Sequence, residues 1–530
     1  MTGTVQTFPL DTSPWLPIQW IPAARAEQSG TPPAYAGLRT VLERSHEINA
    51  LAITEPPAYS AVLRVLYALC ARVCALDVAD DGSGRDWSER RLDILDAGRL
   101  PADGIDAYFS NWAHQLDLFD PVRPWMQDPR LAQECDPARS AGVNKLVPTR
   151  ASGNNHAWFS KVQDADPDPV PASEAALNML TWHYYGPSGR CSARTVNGRS
   201  AASMTAGPLR GALSYHPEGA TLFESLLAGL LRPDPQVRRE QDRCMWEWED
   251  LPDPDAAPPV PAGPCSRLTA VSQHSLLLVP DPDSPQTVSD AYITWAYREG
   301  RLPRTDPYLI WQVSKEGNSY PRPADAGRAL WRDVDALLLA EPGGTAQARR
   351  PEVFRTVSEV SDAALRPLAV RALGFDQDGQ AKDRQFVAGL TPSVLDRAEE
   401  NNPGTEPAVG RLRRLGETYG RRVEYAARRA CTLYMREAKA KEANAWAEEA
   451  SALYWPQAEE EFWSRFFELD RTGALLVDAG LDAAAARDAF LAIAESAYDT
   501  VTAPVCHLQR GARAVADARI ELYGGRRPAR

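Results

Sequence analysis

Almost the whole of the chain beyond residue 407 carries apolar residues at helical spacing, and this restricts what that part can become. Leu412, Leu415, Tyr419, Val423, Ala426, Ala430 and Leu433 recur at three- and four-residue steps, the period of one helix face. Leu453, Phe462, Phe466 and Leu469 mark a second helix, broken at Pro456. Phe490, Ile493, Ala497, Val501, Val505, Leu508, Ala512, Val515 and Ala516 mark further helix, interrupted or kinked near Pro504, because proline removes a helical donor and clashes with the preceding turn. A helix with one apolar stripe must bury it against another element, so these segments predict an antiparallel bundle.

The first 370 residues read differently. Short Val/Ile/Leu/Tyr runs such as 276–279, 291–297 and 308–313 alternate with Pro- and Asp-rich breaks, the mixture expected of an α+β domain with long loops. One helix is plain at 59–75, where Val62, Val65, Leu66, Leu69 and Val73 share a face and predict a core element. The Pro-rich stretches at 165–171 and 252–264 continue neither helix nor central strand and predict surface loops. The expected organisation is therefore an α+β domain over 1–370, a hairpin and linker over 371–404, and a helical bundle over 405–530. A length of 530 residues gives each part a self-sufficient core.

Several function classes lack the residues they need. The eight cysteines include no CxxC pair and no Cys/His set at zinc spacing, which predicts a reduced, cytoplasmic setting and no structural metal. The first cation is Arg25 and no apolar run approaches a membrane span, so neither export nor embedding is expected. GxxxxGK[ST], GxGxxG after a strand, HExxH and GxSxG are all missing, and the seven histidines are scattered. No catalytic residue, cofactor or metal is expected from these patterns. Carboxylates dispersed in sequence still leave a metal-dependent nuclease open as an alternative.

A formal charge of -13 argues against a simple nucleic-acid binder, since phosphates call for clustered Lys and Arg. The distribution matters more than the total. Residues 1–400 carry 39 Lys+Arg against 52 Asp+Glu, whereas 401–530 balance at 19 each. Within 408–441 there are ten cations and three acids, and within 442–470 eight acids and one Arg. The basic ridge is either a solvated face paired with its acidic neighbour or a surface for phosphates.

Taken in order, several segments resemble one family, the large subunit of the type I-E CRISPR Cascade surveillance complex (CasA). They are FPLDTSPWLPIQW at 8–20, the apolar helix at 59–75, FSNWAHQLDLFDPVRPWMQD at 109–128, KLVPTRASGNNHAWF at 145–159, and the closing bundle. Each is diffuse, and their shared order carries the resemblance. It implies a non-catalytic subunit that partners the 5′ handle of a CRISPR guide RNA and the other Cascade subunits. By the same resemblance it recognises a short flanking motif (the PAM) in double-stranded target DNA, begins duplex opening, and recruits a helicase-nuclease. Guide pairing then reads the sequence while protein reads the flank.

The resemblance also implies site residues. A first loop holds Asn155 and Trp158 toward the flanking duplex, with Phe159, Ser160 and Lys161 toward the guide handle. Aromatics stack on unpaired bases and polar groups bond phosphate or base edges. A second, glycine-rich loop corresponds to YGPSGR at 185–190, where Gly186 and Gly189 let main-chain N–H groups approach DNA. A hairpin at 374–382 (GFDQDGQAK) presents Gln380 and Ala381 as a wedge beside the PAM, Gln377 being the second choice for the inserted side chain. The family's minor-groove lysine has no Lys counterpart here; 286–306 contains only arginines, Arg298, Arg301 and Arg304, of which Arg298 and Arg301 are the candidate substitutes, and Arg enters a minor groove as readily. Arg421, Arg422, Arg428 and Arg429 would follow the DNA backbone. Against these stand an aromatic buried in the core, a plain surface turn, an ordinary interdomain turn, and a purely structural assembly subunit with no DNA contact.

Overall fold

The computed structural model describes all residues except 1–5, 23–31, 153–161, 303–304, 315, 340–347, 363–365, 378–382, 399–406, 436–438, 478–479 and 526–530. The chain divides into two compact units. One comprises Met1–Trp311, Ser319–Ala326 and Pro351–Asp396, and the other Gln312–Asn318, Gly327–Arg350 and Arg397–Arg530.

The first unit is α+β with small antiparallel sheets. Its central helix α1 (Pro56–Val73) starts with two prolines in its first turn, and every residue but Arg72 is buried. Pro at a helix start sacrifices only a donor that would be unpaired anyway. Inside this shell Arg64 donates from Nε and Nη2 to both oxygens of Asp306, at 2.8 and 2.9 Å. Its charge is thus matched by a bidentate partner, as burial requires. Tyr67 stacks on Tyr308 with ring centres 5.0 Å apart, and His216 stacks on the same Tyr308 at 4.8 Å.

Helix α2 (Ala172–Tyr185) leads into a hairpin of β1 (Gly189–Val196) and β2 (Arg199–Met204). Strand β3 (Leu213–Glu218) lies at one edge of a three-stranded sheet. Strands β4 (His274–Pro280) and β5 (Thr287–Trp295) pair antiparallel; they contain the apolar run anticipated at 276–279 and the first five residues of that at 291–297. Strand β6 (Ala369–Gln377) is the centre of the β3 sheet, with β7 (Asp383–Leu390) on its other side. The two ladders explain why the expected linker at 371–404 is not separate: β6 exchanges backbone hydrogen bonds with β3 and is therefore part of the first unit.

The second unit contains α3 (Ala408–Met435), α4 (Ala440–Arg471), α5 (Ala483–Cys506) and α6 (Gln509–Arg519). Pro456 lies inside α4 without ending it, whereas Pro504 sits in the last turn of α5, which stops at Cys506 before α6 begins at Gln509, the interruption expected there. The break expected at Pro456 is absent because the residues around it are held by packing: Trp455 meets Trp331 at 6.2 Å, and Phe462 stacks on Trp331 at 4.9 Å. Trp331 belongs to a short turn, Leu330–Asp333, which draws the Gly327–Arg350 segment into this unit. Glu417 accepts from Arg332 Nε at 2.6 Å and Arg328 Nη1 at 3.2 Å. Arg413 Nε donates to Asp335 at 2.7 Å.

The basic ridge on α3 splits by facing. Arg421 and Arg428 are exposed, seven residues apart on one stripe, with Tyr425 exposed between them. Arg422 and Arg429 turn toward the end of the chain, where Arg422 Nη1 donates to the carbonyl of Leu522 at 3.3 Å and Arg429 pairs with Glu521. Three ridge arginines pair away from the acidic helix: Arg413, Arg421 and Arg429 take Asp335, Glu417 and Glu521 as partners, whereas Arg428 Nε donates to Asn444 of α4 at 3.1 Å.

Candidate nucleic-acid interface

Helix α2 ends where the backbone can no longer stay helical. Gly186 caps it in an extended conformation, its N–H still bonded to the Trp182 carbonyl at 3.1 Å, and Pro187 follows, which cannot continue the ladder. The two glycines of this turn serve different purposes. Gly186 is buried, and a Cβ there would lie 2.7 Å from both the Trp182 carbonyl oxygen and His274 Cε1. Its smallness therefore accommodates packing inside the protein, which corrects the expectation that it approaches DNA. Gly189 is exposed at φ +133° with open space around it, so its backbone is the accessible part of the turn.

His274 fixes the turn from below. Its Nε2 bonds the Pro187 carbonyl at 3.2 Å, and burial drops its pKa to about 4, leaving it neutral. Next to it His183 bonds Ser272 Oγ at 2.7 Å and the Met126 carbonyl at 2.9 Å. Burial first, and the neighbouring His274 second, lower its pKa to about 3. Both are structural histidines.

Three separate stretches of sequence converge on one cavity of about 370 Å³. Ser152, at the entrance to the first loop, forms part of its wall; so does the 186–190 turn; so do Gln377 and Asp383, the paired residues at the base of the β6–β7 hairpin. Among the described residues four cations line it, Lys145, Arg150, Arg190 and Arg210, against one acid, Asp383. Burial lowers the Lys145 pKa, the response of a cation partly withdrawn from water. In a chain with a charge of -13, such a cluster focuses a local positive field.

Gly189 is also part of the wall of a second cavity, of about 690 Å³, together with Arg267, Arg301, Asp306 and Trp311. Arg304 lies outside the described residues, and here Arg298 and Arg301 separate. Arg298 is fastened to its own unit: Nε lies 3.1 Å from Asp255, Nη2 donates to the Arg199 carbonyl at 2.9 Å, and the guanidinium lies over the Trp295 ring at 5.1 Å. Arg301 is exposed and faces the cavity beside Gly189.

Asn155, Trp158, Phe159, Ser160 and Lys161 lie outside the described residues, as do Gln380 and Ala381. Gln377 is tied down, its Nε2 donating to Asp383 Oδ1 at 2.7 Å and reaching the Tyr185 carbonyl at 3.4 Å. It anchors the hairpin base rather than forming a free wedge. Lys145, Arg150, Arg210 and Asp383 were not anticipated as site residues. Lys145 and Arg150 were legible as the cations of the KLVPTRASGNNHAWF segment, whereas nothing local marks Arg210 or Asp383. Among the described residues no three His, Cys, Asp or Glu side chains gather as metal donors, and no helix is long and apolar enough to cross a membrane.

The profile of the family described as CRISPR-associated protein Cse1 matches residues 16–497. A curated relative, CRISPR-associated protein CasA/Cse1 of Thermus thermophilus, is 25% identical over 427 residues, covering 78% of this chain and 77% of its own. Among solved structures, a chain of a CRISPR RNA-guided surveillance complex superposes with a TM-score of 0.82 at 38% identity, spanning 98% of this chain and 100% of the other. Thermobifida fusca Cse1 shares the fold, with a TM-score of 0.73 at 19% identity over 99% of both chains. With a family match that spans most of its length and a fold shared from end to end, the chain belongs to the CRISPR-associated Cse1 family, the CasA-type large subunits of type I-E systems.

Proposed function

We propose that this chain works within an RNA-guided surveillance complex as the non-catalytic subunit that reads the PAM of a DNA duplex, starts its opening and then recruits a helicase-nuclease. The observation that carries this reading is the convergence of the first-loop entrance, the 186–190 turn and the hairpin base on one cationic cavity. A duplex edge presented there meets the exposed Gly189 backbone and, from the adjoining cavity, Arg301. Main-chain N–H groups and a groove-entering guanidinium read shape and base edges without a recognition helix. The hairpin continues past Gln377 and Asp383 into 378–382, whose Gln380 and Ala381 are the wedge of this proposal. Insertion there offsets part of an unstacking cost of a few kcal/mol. Asn155, Trp158, Phe159, Ser160 and Lys161, beyond Ser152, are assigned to the guide handle and flank, and the exposed Arg421 and Arg428 to phosphates.

The test is target binding by the reconstituted ribonucleoprotein, with and without this chain, over a library of flanking trinucleotides. Discrimination among flanks should require the chain. Equal discrimination without it would end the proposal. Recruitment is read separately, by whether the helicase-nuclease associates with the open complex only when the chain is present.

A further inference from the structure

We propose that Arg210 is the positioning residue that sets the distance between the 186–190 turn and the wedge hairpin, so that flank reading and duplex opening act on the same base step. This rests on the function proposed above and deepens it. The Arg210 side chain is 2% exposed, yet it sits between two elements that sequence separates widely. Its Nη1 donates to the carbonyl of Tyr185, the last residue of α2, at 3.1 Å. Its Nη2 donates to Asp383 Oδ1, at the start of β7, at 2.8 Å. Gln377, which pairs with Asp383 across the hairpin, donates to that same oxygen and reaches the same carbonyl. One guanidinium, one carboxylate and one carbonyl thus hold the helix end and both strands of the hairpin.

The segment that carries Arg210 is itself laid on the helix end. Gly207 N–H donates to the Gly186 carbonyl and Leu209 N–H to the Tyr184 carbonyl, each at 2.9 Å. A Cβ on Gly207 would come within 2.5 Å of that Tyr184 oxygen, so close seating depends on glycine. At the other end Gly211 N–H donates to Gln377 Oε1 at 3.4 Å. From Phe375 to Gln377 the hairpin is a two-stranded ribbon, because β3 pairs only with Ala369–Gly374 of β6, and such a ribbon has little rigidity of its own. A tip that must meet one base step to a fraction of an ångström requires a fixed base, and a buried planar fork supplies it where a flexible ammonium does not.

The experiment uses the reconstituted complex carrying Arg210→Ala, Arg210→Lys or Asp383→Asn. Two readouts are taken: binding across flanking trinucleotides, and fluorescence of 2-aminopurine at the first target base pair. Arg210→Ala should reduce flank discrimination about tenfold and weaken opening of that pair, a larger loss than any it causes in salt-dependent binding to duplex lacking a preferred flank. Arg210→Lys should recover part of the loss. Asp383→Asn, half-exposed and isosteric, should shift both readouts in the same direction, and combining it with Arg210→Ala should add little. Equal losses on preferred and neutral duplexes would mean a merely structural role and overturn the proposal. So would unchanged discrimination in both Arg210 variants while Gly189→Ala abolishes it; in that case the proposed function stands without the lock. Flank discrimination by complexes lacking the chain entirely would instead overturn the function itself.

Discussion

Gly186 packs its α-carbon directly onto His274, so that a Cβ at this position would lie 2.7 Å from the imidazole Cε1. Three residues later Gly189 has open space around it and a backbone at φ +133°. The two glycines of one turn therefore predict opposite phenotypes. Gly186→Ala should lower the stability of the chain by about 1–3 kcal/mol through overpacking, visible as a fall in Tm. Gly189→Ala carries only a local backbone cost of about 1–2 kcal/mol in an exposed turn, and its main effect should be on flank discrimination. Equal Tm losses for the two would contradict this division.

Arg298 and Arg301 differ in availability. Removing Arg301 should weaken binding to preferred flanks by about 1–3 kcal/mol, with little change in melting. Arg298→Ala should act through the fold instead, because it vacates contacts to Asp255, the Arg199 carbonyl and the Trp295 face. Competition binding and thermal melting of both variants separate these outcomes, and a reversed pattern would reassign the groove-facing cation.

On α3 the exposed pair and the half-buried pair should separate in the same way. Arg421→Ala with Arg428→Ala should lower the salt dependence of duplex binding by roughly two phosphate contacts, uniformly over sequences. Arg422→Ala with Arg429→Ala removes the contacts to Leu522 and Glu521 and should destabilise the unit by about 1 kcal/mol. Titrating binding against salt for each double variant checks both halves.

Acid stability follows from the buried histidines. Their ordinary pKa of about 6.5 falls to about 4 at His274 and about 3 at His183, from burial in both cases. Below pH 6.5 the unfolded chain takes up protons that the native chain refuses, so stability declines as pH falls. The slope is about 1.4 kcal/mol per pH unit for each histidine. It persists down to about pH 4 for His274 and about pH 3 for His183. Denaturant midpoints between pH 6.5 and 5 should show the decline, and His183→Gln should make it shallower. A flat profile there would count against neutral burial.

Glu417 tests the second unit. Burial alone would raise its pKa, but Arg332 and Arg328 hold it below the usual carboxylate range. Its stabilising effect is present above the unfolded value of about 4.3 and lost as pH drops through the lowered folded one. Glu417→Ala leaves two largely buried guanidinium groups without their shared acceptor and should cost about 3–5 kcal/mol at neutral pH. A melting shift of only a degree or two would show that the arginines find other partners.

The periodic parts of the sequence were the legible ones. Helix 59–75 appears as Pro56–Val73, and 276–279 and 291–297 overlap Leu- and Tyr-bearing strands, since burial alternation is a local property. Even the diffuse family segments find one another: Trp15 and Trp125 meet with ring centres 5.9 Å apart, and Gln127 bonds the Leu118 carbonyl and the Leu278 N–H from within the core. Helix interruption at Pro456 was misread because the local rule counts a lost donor but not the aromatic packing of Trp331 on Trp455 and Phe462.

Sequence alone determined the class: which stretches would be helical, that the C-terminal part would form a bundle, that membrane-spanning helices were not to be expected, and which family the order of segments resembled. These rest on the spacing of side chains along one segment, and spacing survives in a linear string. Only the tertiary structure decided that Gly186 faces His274 rather than solvent, that Arg298 is occupied while Arg301 is open, that Arg421 and Arg428 are exposed while Arg422 and Arg429 turn to Leu522 and Glu521, and that Arg210 bridges Tyr185 to Asp383. Each of these depends on groups brought together from distant parts of the chain, and the free energy of such a meeting is set by burial and partner geometry that no local pattern records.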